Sequence, residues 1–187
     1  AAYERCIEHA GDRAALPLFN LGVAFQELGE PGKAIEAFQG AIASDPTMAD
    51  AWINIGRLLD DLGDSDMAIE CYNTALGINP NDATALSSRG NSLRALRQFS
   101  EADASYEAAL TENPQDLAAR IGRGVCKFEL GEQEEGLDRL RSIIEQTGHS
   151  VARFEYSLLL CQLERYEEAM VSLDRIVEDG SGSPEIY

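Results

Sequence analysis

The chain has 187 residues, a formal net charge of −18, and 44% hydrophobic against 26% charged residues, the balance of a folded protein rather than a disordered one. No apolar run approaches the roughly 18 residues of a membrane span, and no signal-peptide pattern opens the sequence. So negative a chain repels nucleic acid and anionic membranes. Lys33 and Lys127 are its only lysines, and the acidic surface either favours solubility or attracts a basic partner. The chain begins at Ala1 rather than at a methionine, as expected of a fragment or a processed form.

"AYERCIEHAG", within residues 1–14, reads as a single helix without a partner before it. Residues 15–48 read as two amphipathic helices, A and B, broken near "GEPG", with Pro31 at the start of helix B, where proline is tolerated. Residues 49–82 repeat the plan more clearly. Trp52, Ile55, Leu59 and Leu62 recur at helical spacing. A turn follows at "LGDSD", with Asp64 as N-cap. Helix B carries Ala68, Tyr72, Ala75 and Leu76 on one face, and Pro80 pushes Asn79 out of the helical region. Residues 83–116 give a third unit, 117–149 a weaker fourth and 150–183 a fifth, in which Ser157 and Ala169 fall one residue early. "EDGSGSP" at 178–184 is the flexible-looking stretch, and residues 184–187, "PEIY", could open a further helix A.

Three columns carry the period. Gly22, Gly56, Gly90 and Gly124 are 34 residues apart; Ala34, Ala68, Ala102 and Gly136 keep the same interval, as do Pro46, Pro80, Pro114 and Gly148. A mid-helix glycine costs about 1 kcal/mol relative to alanine. Close packing of helix A on helix B offsets that cost if the glycine faces a small residue such as Ala34 or Ala41, with Phe25 and Phe38 filling the space beside the contact. On this account Gly56→Leu is destabilising and Gly56→Ala close to neutral.

This pattern resembles the tetratricopeptide repeat. In "AWINIGRLLDDLGDSDMAIECYNTALGINP", Trp52, Ile55, Gly56, Leu59, Gly63, Ala68, Tyr72, Ala75 and Pro80 match the family signature. The resemblance covers nearly the whole chain and implies an all-α, right-handed α-solenoid of about five repeats plus a leading half-repeat, forming one array over residues 1–187. Each repeat covers its neighbour's apolar face, and the ends need polar caps; Leu158, Leu159, Leu173 or Ile176 is therefore expected to be incompletely covered.

Nothing in the chain reads as catalytic. There is no phosphate loop, no HExxH and no nucleophile elbow. His9 and His149 are the only histidines, and Cys6, Cys71, Cys126 and Cys161 lie far apart, as expected of free buried thiols in a reducing compartment such as the cytoplasm. No metal site and no cofactor are expected. "GRG" at 122–124 is better explained by helix packing than by a dinucleotide fingerprint. The acidic pairs Asp60–Asp61 and Glu167–Glu168 read as solvated faces.

In the resembled family, helix A lines a concave groove that holds an extended peptide or a partner helix. The register places Asn20, Asn54, Arg57, Ser88, Asn91 and Arg94 there as candidate peptide-binding residues. Amides suit backbone recognition and arginines suit a carboxylate. Ile121, Val125, Phe128, Phe154 and Leu158 form a second, apolar stretch of the expected groove. Asn20 and Asn54 are similar to the asparagine ladder of O-GlcNAc transferases, which lapses at Ser88 and Gly122. The carboxylate clamp of chaperone-binding members is not matched at Phe19, Val23, Thr84 or Ser88; only Asn54 agrees. Arg120, Arg123 and Lys127 share one helix face: either their stems pack at the core edge with heads paired to glutamates, or the stripe lines the groove for an acidic partner. The function implied is a non-enzymatic scaffold that binds a protein or peptide partner, with no nucleic acid, no membrane insertion and possible self-association. The rival readings are the recognition arm of a larger enzyme such as a glycosyltransferase, and a self-assembling scaffold.

Overall fold

The structure, a computed structural model, describes residues 14–178. The helix expected before residue 14 and the one expected to open at 184–187 lie outside the described residues. Among those described there are ten α-helices and no strand: α1 (Ala15–Glu27), α2 (Pro31–Ser44), α3 (Ala49–Asp61), α4 (Ser65–Ile78), α5 (Ala83–Ala95), α6 (Phe99–Glu112), α7 (Leu117–Glu129), α8 (Gln133–Thr147), α9 (Ser150–Gln162) and α10 (Tyr166–Glu178). Odd numbers are A helices and even numbers B helices. The described residues divide into two compact units, one ending at Leu96 and one beginning at Arg97.

Local chemistry sets the helix ends. Asp64 caps α4 by accepting from the Met67 amide, and Asp82 and Asp116 cap α5 and α7 by accepting from Ala85 and Ala119. Asp45, Asn79 and Asn113, each before a proline, end α2, α4 and α6 with φ between −142° and −127°, as the proline ring requires. Between A and B helices the chain turns through a left-handed residue. Glycine holds that place at Gly29, Gly63 and Gly131, but Arg97 and Glu164 adopt φ 60° there.

The early placement of Ser157 and Ala169 has a local cause. Gly148 replaces the proline of the other repeats and ends α8 in the left-handed conformation, φ 65°. The chain reverses at once, and two residues rather than four separate α8 from α9. α8 is itself one residue longer than α6, so the following repeat comes forward by one.

In the first unit the glycine column meets aromatic rings, which corrects the expected glycine–alanine contact. A Cβ on Gly22 would lie 2.6 Å from Cε1 of Phe38, and one on Gly56 would lie 2.7 Å from Cε1 of Tyr72. Both aromatic side chains are fully buried. The absent side chain therefore makes room for a ring on helix B. In the second unit Gly124 faces Leu140 instead, and a Cβ on Gly136 would meet the Gly124 carbonyl at 2.6 Å, so there the two backbones approach directly.

The core of the first unit gathers Ala34, Phe38, Ala51, Ile55, Leu58 and Cys71, with Trp52 and Leu59 half-buried against them. That of the second joins Ile121, Val125, Phe128, Leu137, Leu140 and Ile143 to Ala152, Tyr156, Leu159, Leu160 and Ala169. At its C-terminal end Leu158 and Leu173 are exposed while Leu159 and Ile176 are buried.

Candidate peptide-binding site

Helices α3, α4 and α5 enclose an open cleft of about 350 Å³, lined by Arg57, Asp60, Asp61, Ser65, Tyr72, Ser88, Asn91, Ser92 and Ala95. Its floor is built on Asp60. The Asp60 Oδ2 accepts from the Tyr72 hydroxyl at 2.9 Å and from the Ser92 hydroxyl at 2.7 Å; Oδ1 accepts from Ser65 at 3.0 Å. Three neutral donors thus satisfy one half-buried carboxylate, the pattern that makes a buried charge tolerable. Burial, then the Asp60 charge and its hydrogen bond, push the Tyr72 phenol well above its ordinary range, while Ser88 and Arg57 pull weakly the other way. Tyr72 therefore stays a neutral donor.

Above this floor Arg57 is exposed and makes no hydrogen bond or ion pair among the described residues. Ser88 stands half-buried and Asn91 exposed on α5, one turn apart on the same face. Of the six residues assigned to the groove from sequence, the cleft brings together Arg57, Ser88 and Asn91. Asn20 is exposed on α1 and Asn54 half-buried on α3, where its amide donates to the Asp50 carbonyl at 2.9 Å. Arg94 is half-buried on α5. None of these three lines the cleft. Asp60, set aside as a solvated acid, is the residue sequence reasoning missed. Its partners lie 12 and 32 residues away, and the one local signal was Ser65 five residues on.

The apolar stretch does not form a groove. Ile121, Val125 and Phe128 are 6%, 5% and 4% exposed and belong to the core of the second unit, packed with residues of α8 and α9. Phe154 is half-buried, and Leu158 alone of the five is exposed. Arg57 and Asn91 occupy the same column as Val125. A polar side chain there stays in water, whereas valine lies against its apolar neighbours.

Arg123 and Lys127 take the paired, core-edge arrangement. Arg123 bonds Asp103 at 3.0 Å and also Glu107; Lys127 bonds Glu132 at 3.0 Å with Asp103 at 3.7 Å. Arg120 donates to Gln146 at 2.9 Å. Of the thiols described, Cys71 and Cys126 are buried as expected, but Cys161 is exposed. Among the described residues no cluster could hold a metal ion, and no helix is long and apolar enough to cross a membrane.

Comparison with family models finds tetratricopeptide-repeat matches over residues 17–48, 49–82 and 88–150. The chain belongs to the tetratricopeptide-repeat family. Members of that family are in general protein-interaction scaffolds, and the all-α helical repeat seen here is that fold. No curated protein matches the chain. Among solved structures it is similar to YrrB, described as a tetratricopeptide-repeat protein with an unusual peptide-binding site, at 23% identity over 95% of this chain and 92% of that one, TM-score 0.74. It is also similar to MamA 41-end from Desulfovibrio magneticus RS-1, at 17% identity over 91% and 97%, TM-score 0.79. The first tetratricopeptide-repeat domain of Spaghetti (RPAP3), bound to the HSP90 peptide SRMEEVD, matches at 24% identity over 66% and 98%, TM-score 0.63. These likenesses show the tetratricopeptide fold.

Proposed function

We propose that this chain is a scaffold that holds an extended segment of a partner protein across the A helices of its first unit, anchored at the cleft of Arg57, Ser88 and Asn91. One observation carries the reading. A guanidinium without a partner among the described residues stands beside an amide and a hydroxyl, over a carboxylate already saturated by three donors. Asp60 is already satisfied by its three donors, and exposed Asp61 lies at the rim beside Arg57, so Arg57 is the donor the cleft offers to a ligand group that accepts: an amide or a carboxylate on an extended backbone. The acidic surface around it selects basic flanks. Two solved neighbours carry peptide binding in their descriptions, which supports a peptide as the class of ligand. Asn20, Asn54 and Arg94 remain outer contacts of the same proposed track.

The test is a set of labelled eight-residue peptides with lysine flanks and a central Asp, Asn, Lys or Leu, titrated by fluorescence anisotropy. Central Asp and Asn should bind best. Arg57→Ala should weaken them by about 1.5–3 kcal/mol, the worth of a charge-assisted hydrogen bond, with little change in melting temperature because Arg57 is exposed. Equal binding of all four peptides, or no loss in Arg57→Ala, removes the cleft as the site.

A further inference from the structure

In the three repeats before the fourth, the place of Arg120 in the period is held by Leu18, Trp52 and Leu86, and that of Arg139 by Ala37, Cys71 and Ser105. All are buried except Trp52, which is half-buried. The fourth repeat puts guanidinium groups at both places, each half-buried, and there α6, α7 and α8 enclose an open cleft of about 640 Å³. Leu110 on α6 and the buried Ile143 on α8 form its apolar part. The fifth repeat also has an arginine in the Arg120 column, Arg153, one residue early, but that side chain is buried. Hydrogen bonding leaves donors free in this cleft. Arg120 Nη2 donates to Gln146 Oε1 at 2.9 Å, and Gln146 Nε2 donates to the Ser142 hydroxyl at 3.1 Å. Arginine can only donate, so the orientation of the amide is fixed and Ser142 keeps its own proton for another acceptor. Arg123 is held by Asp103 and Glu107, and Arg139 by Glu135 at 2.7 Å. Arg120 makes no ion pair among the described residues.

We propose that this cleft is a second binding site, in which Arg120 and Ser142 grip a carboxylate from an extended segment of a partner protein while Leu110 receives an apolar neighbour of that carboxylate. A guanidinium without a counter-charge, beside a hydroxyl with an undonated proton, calls for an anionic acceptor. Glu135 and Asp138 are exposed on the same cleft and oppose a dianion more strongly than a monoanion, which favours a carboxylate over a phosphate. The net charge of −18 repels a uniformly acidic segment, so the segment also carries a basic residue, which faces Glu135 or Asp138. Packing does not require the arginine, since Leu86 fills the same column one repeat earlier. The site lies within the second unit and shares no residue with the Arg57 cleft.

The probe is the end-blocked peptide Gly-Leu-Glu-Leu-Lys-Gly, titrated into the isotope-labelled full chain and followed by amide shifts; matched peptides carry glutamine or phosphoserine in place of the glutamate. The glutamate peptide should bind about tenfold more tightly than the glutamine peptide, the worth of one charge-assisted hydrogen bond. Its shifts should centre on Arg120, Arg139, Ser142 and Gln146, and its affinity should fall with salt. Arg120→Gln should bring the glutamate peptide down to the affinity of the glutamine peptide, while Arg57→Ala leaves it unchanged. Arg120→Leu, which copies Leu86, should remove the preference for glutamate without lowering the melting temperature. The proposal is overturned by equal affinity for the glutamate and glutamine peptides, by no binding of the glutamate peptide up to millimolar concentration, or by unchanged binding in Arg120→Gln. Shifts centred on Arg57, Ser88 and Asn91 would overturn it by returning the ligand to the first cleft. Tighter binding of the phosphoserine peptide would overturn it in favour of a phosphorylated segment. A lowered melting temperature in Arg120→Leu would overturn it by showing that the guanidinium serves the fold.

Discussion

Adding a single methyl group at Gly56 tests the central packing argument. An alanine Cβ there lies 2.7 Å from Cε1 and 2.8 Å from Cζ of Tyr72, whereas ordinary contact begins at 3.4 Å. The ring cannot swing away easily, because Tyr72 is fully buried and its hydroxyl is held by Asp60 at 2.9 Å. Overpacking of this kind costs about 1–3 kcal/mol, and the helix recovers about 1 kcal/mol when alanine replaces glycine. The net expectation is destabilisation of up to about 2 kcal/mol, in contrast to the near-neutral outcome that an alanine neighbour implied. With a urea slope of about 2 kcal/mol/M, the midpoint falls by up to about 1 M. Trp52, the only tryptophan, lies on the same helix, so urea unfolding followed by its fluorescence reads the affected repeat. Gly77→Ala is the control: nothing stands within 4 Å of its Cβ position, and the midpoint should rise. In a Tyr72→Leu background, which copies the looser Gly124–Leu140 pair, the cost of Gly56→Ala should shrink. A Gly56→Ala midpoint at or above wild type refutes the reasoning; an equal cost in both backgrounds shows that the ring is not the cause.

Asp60→Ala should destabilise by about 1–3 kcal/mol, since it takes the acceptor from the buried Tyr72 hydroxyl and leaves Ser92 only the Ser88 carbonyl at 3.2 Å, while Asp61→Ala should stay within about 0.5 kcal/mol; comparable effects in urea unfolding would dissolve the distinction between the two neighbours. Burial, with a smaller push from Glu70, raises the Cys71 thiol to about 11, so a thiol reagent at neutral pH should label exposed Cys161 and spare Cys71 and Cys126 until the protein unfolds, with mass spectrometry counting the adducts. Hydrogen bonds from Arg139 and Arg165 hold Glu135 and Glu168 below their ordinary 4.5. The folded state then binds fewer protons than the unfolded one, so this contribution is complete above pH 4.5 and is lost as pH falls through the lower folded values. Glu135→Gln with Glu168→Gln should narrow its gap from wild type as pH drops through that range, followed by circular dichroism, and a gap independent of pH would contradict it.

The helical repeat was legible because its signal is local and recurrent. Glycine, alanine and proline columns mark where helices touch and stop, and each reads within one period. The Asp64 cap and the Pro31 start were legible for the same reason: cap and helix are adjacent in sequence. What sequence did not yield depends on partners outside the period. Asp60 looks like any surface acid until Tyr72 and Ser92 are brought to it. Arg123 and Lys127 could be assigned to core edge or groove only once Asp103 on α6 stood beside them. Ile121, Val125 and Phe128 were placed in a groove because the register of the second repeat was carried into the fourth. There, apolar side chains and the Gly124–Gly136 approach turn the same columns into core.

The column of Val23, Arg57, Asn91 and Val125 shows how such a repeat separates scaffold from function. Its neighbours are constrained on both sides: the glycine one residue before must leave room for a helix B side chain, and residues such as Leu58, Ser92 and Cys126, one residue after, are buried. The column itself is held to a fixed backbone position while its side chain is free to differ. Where it is apolar and a following helix is near, as at Val125, it joins the core and the surface closes. Where it is charged or an amide, as at Arg57 and Asn91, desolvating it would cost more than packing returns, so it remains in water at a spacing set by the scaffold. The polar side chains of this column are therefore presented as a consequence of the packing around them, and a ligand that reads them needs groups spaced to match successive A helices rather than a preformed enclosed pocket.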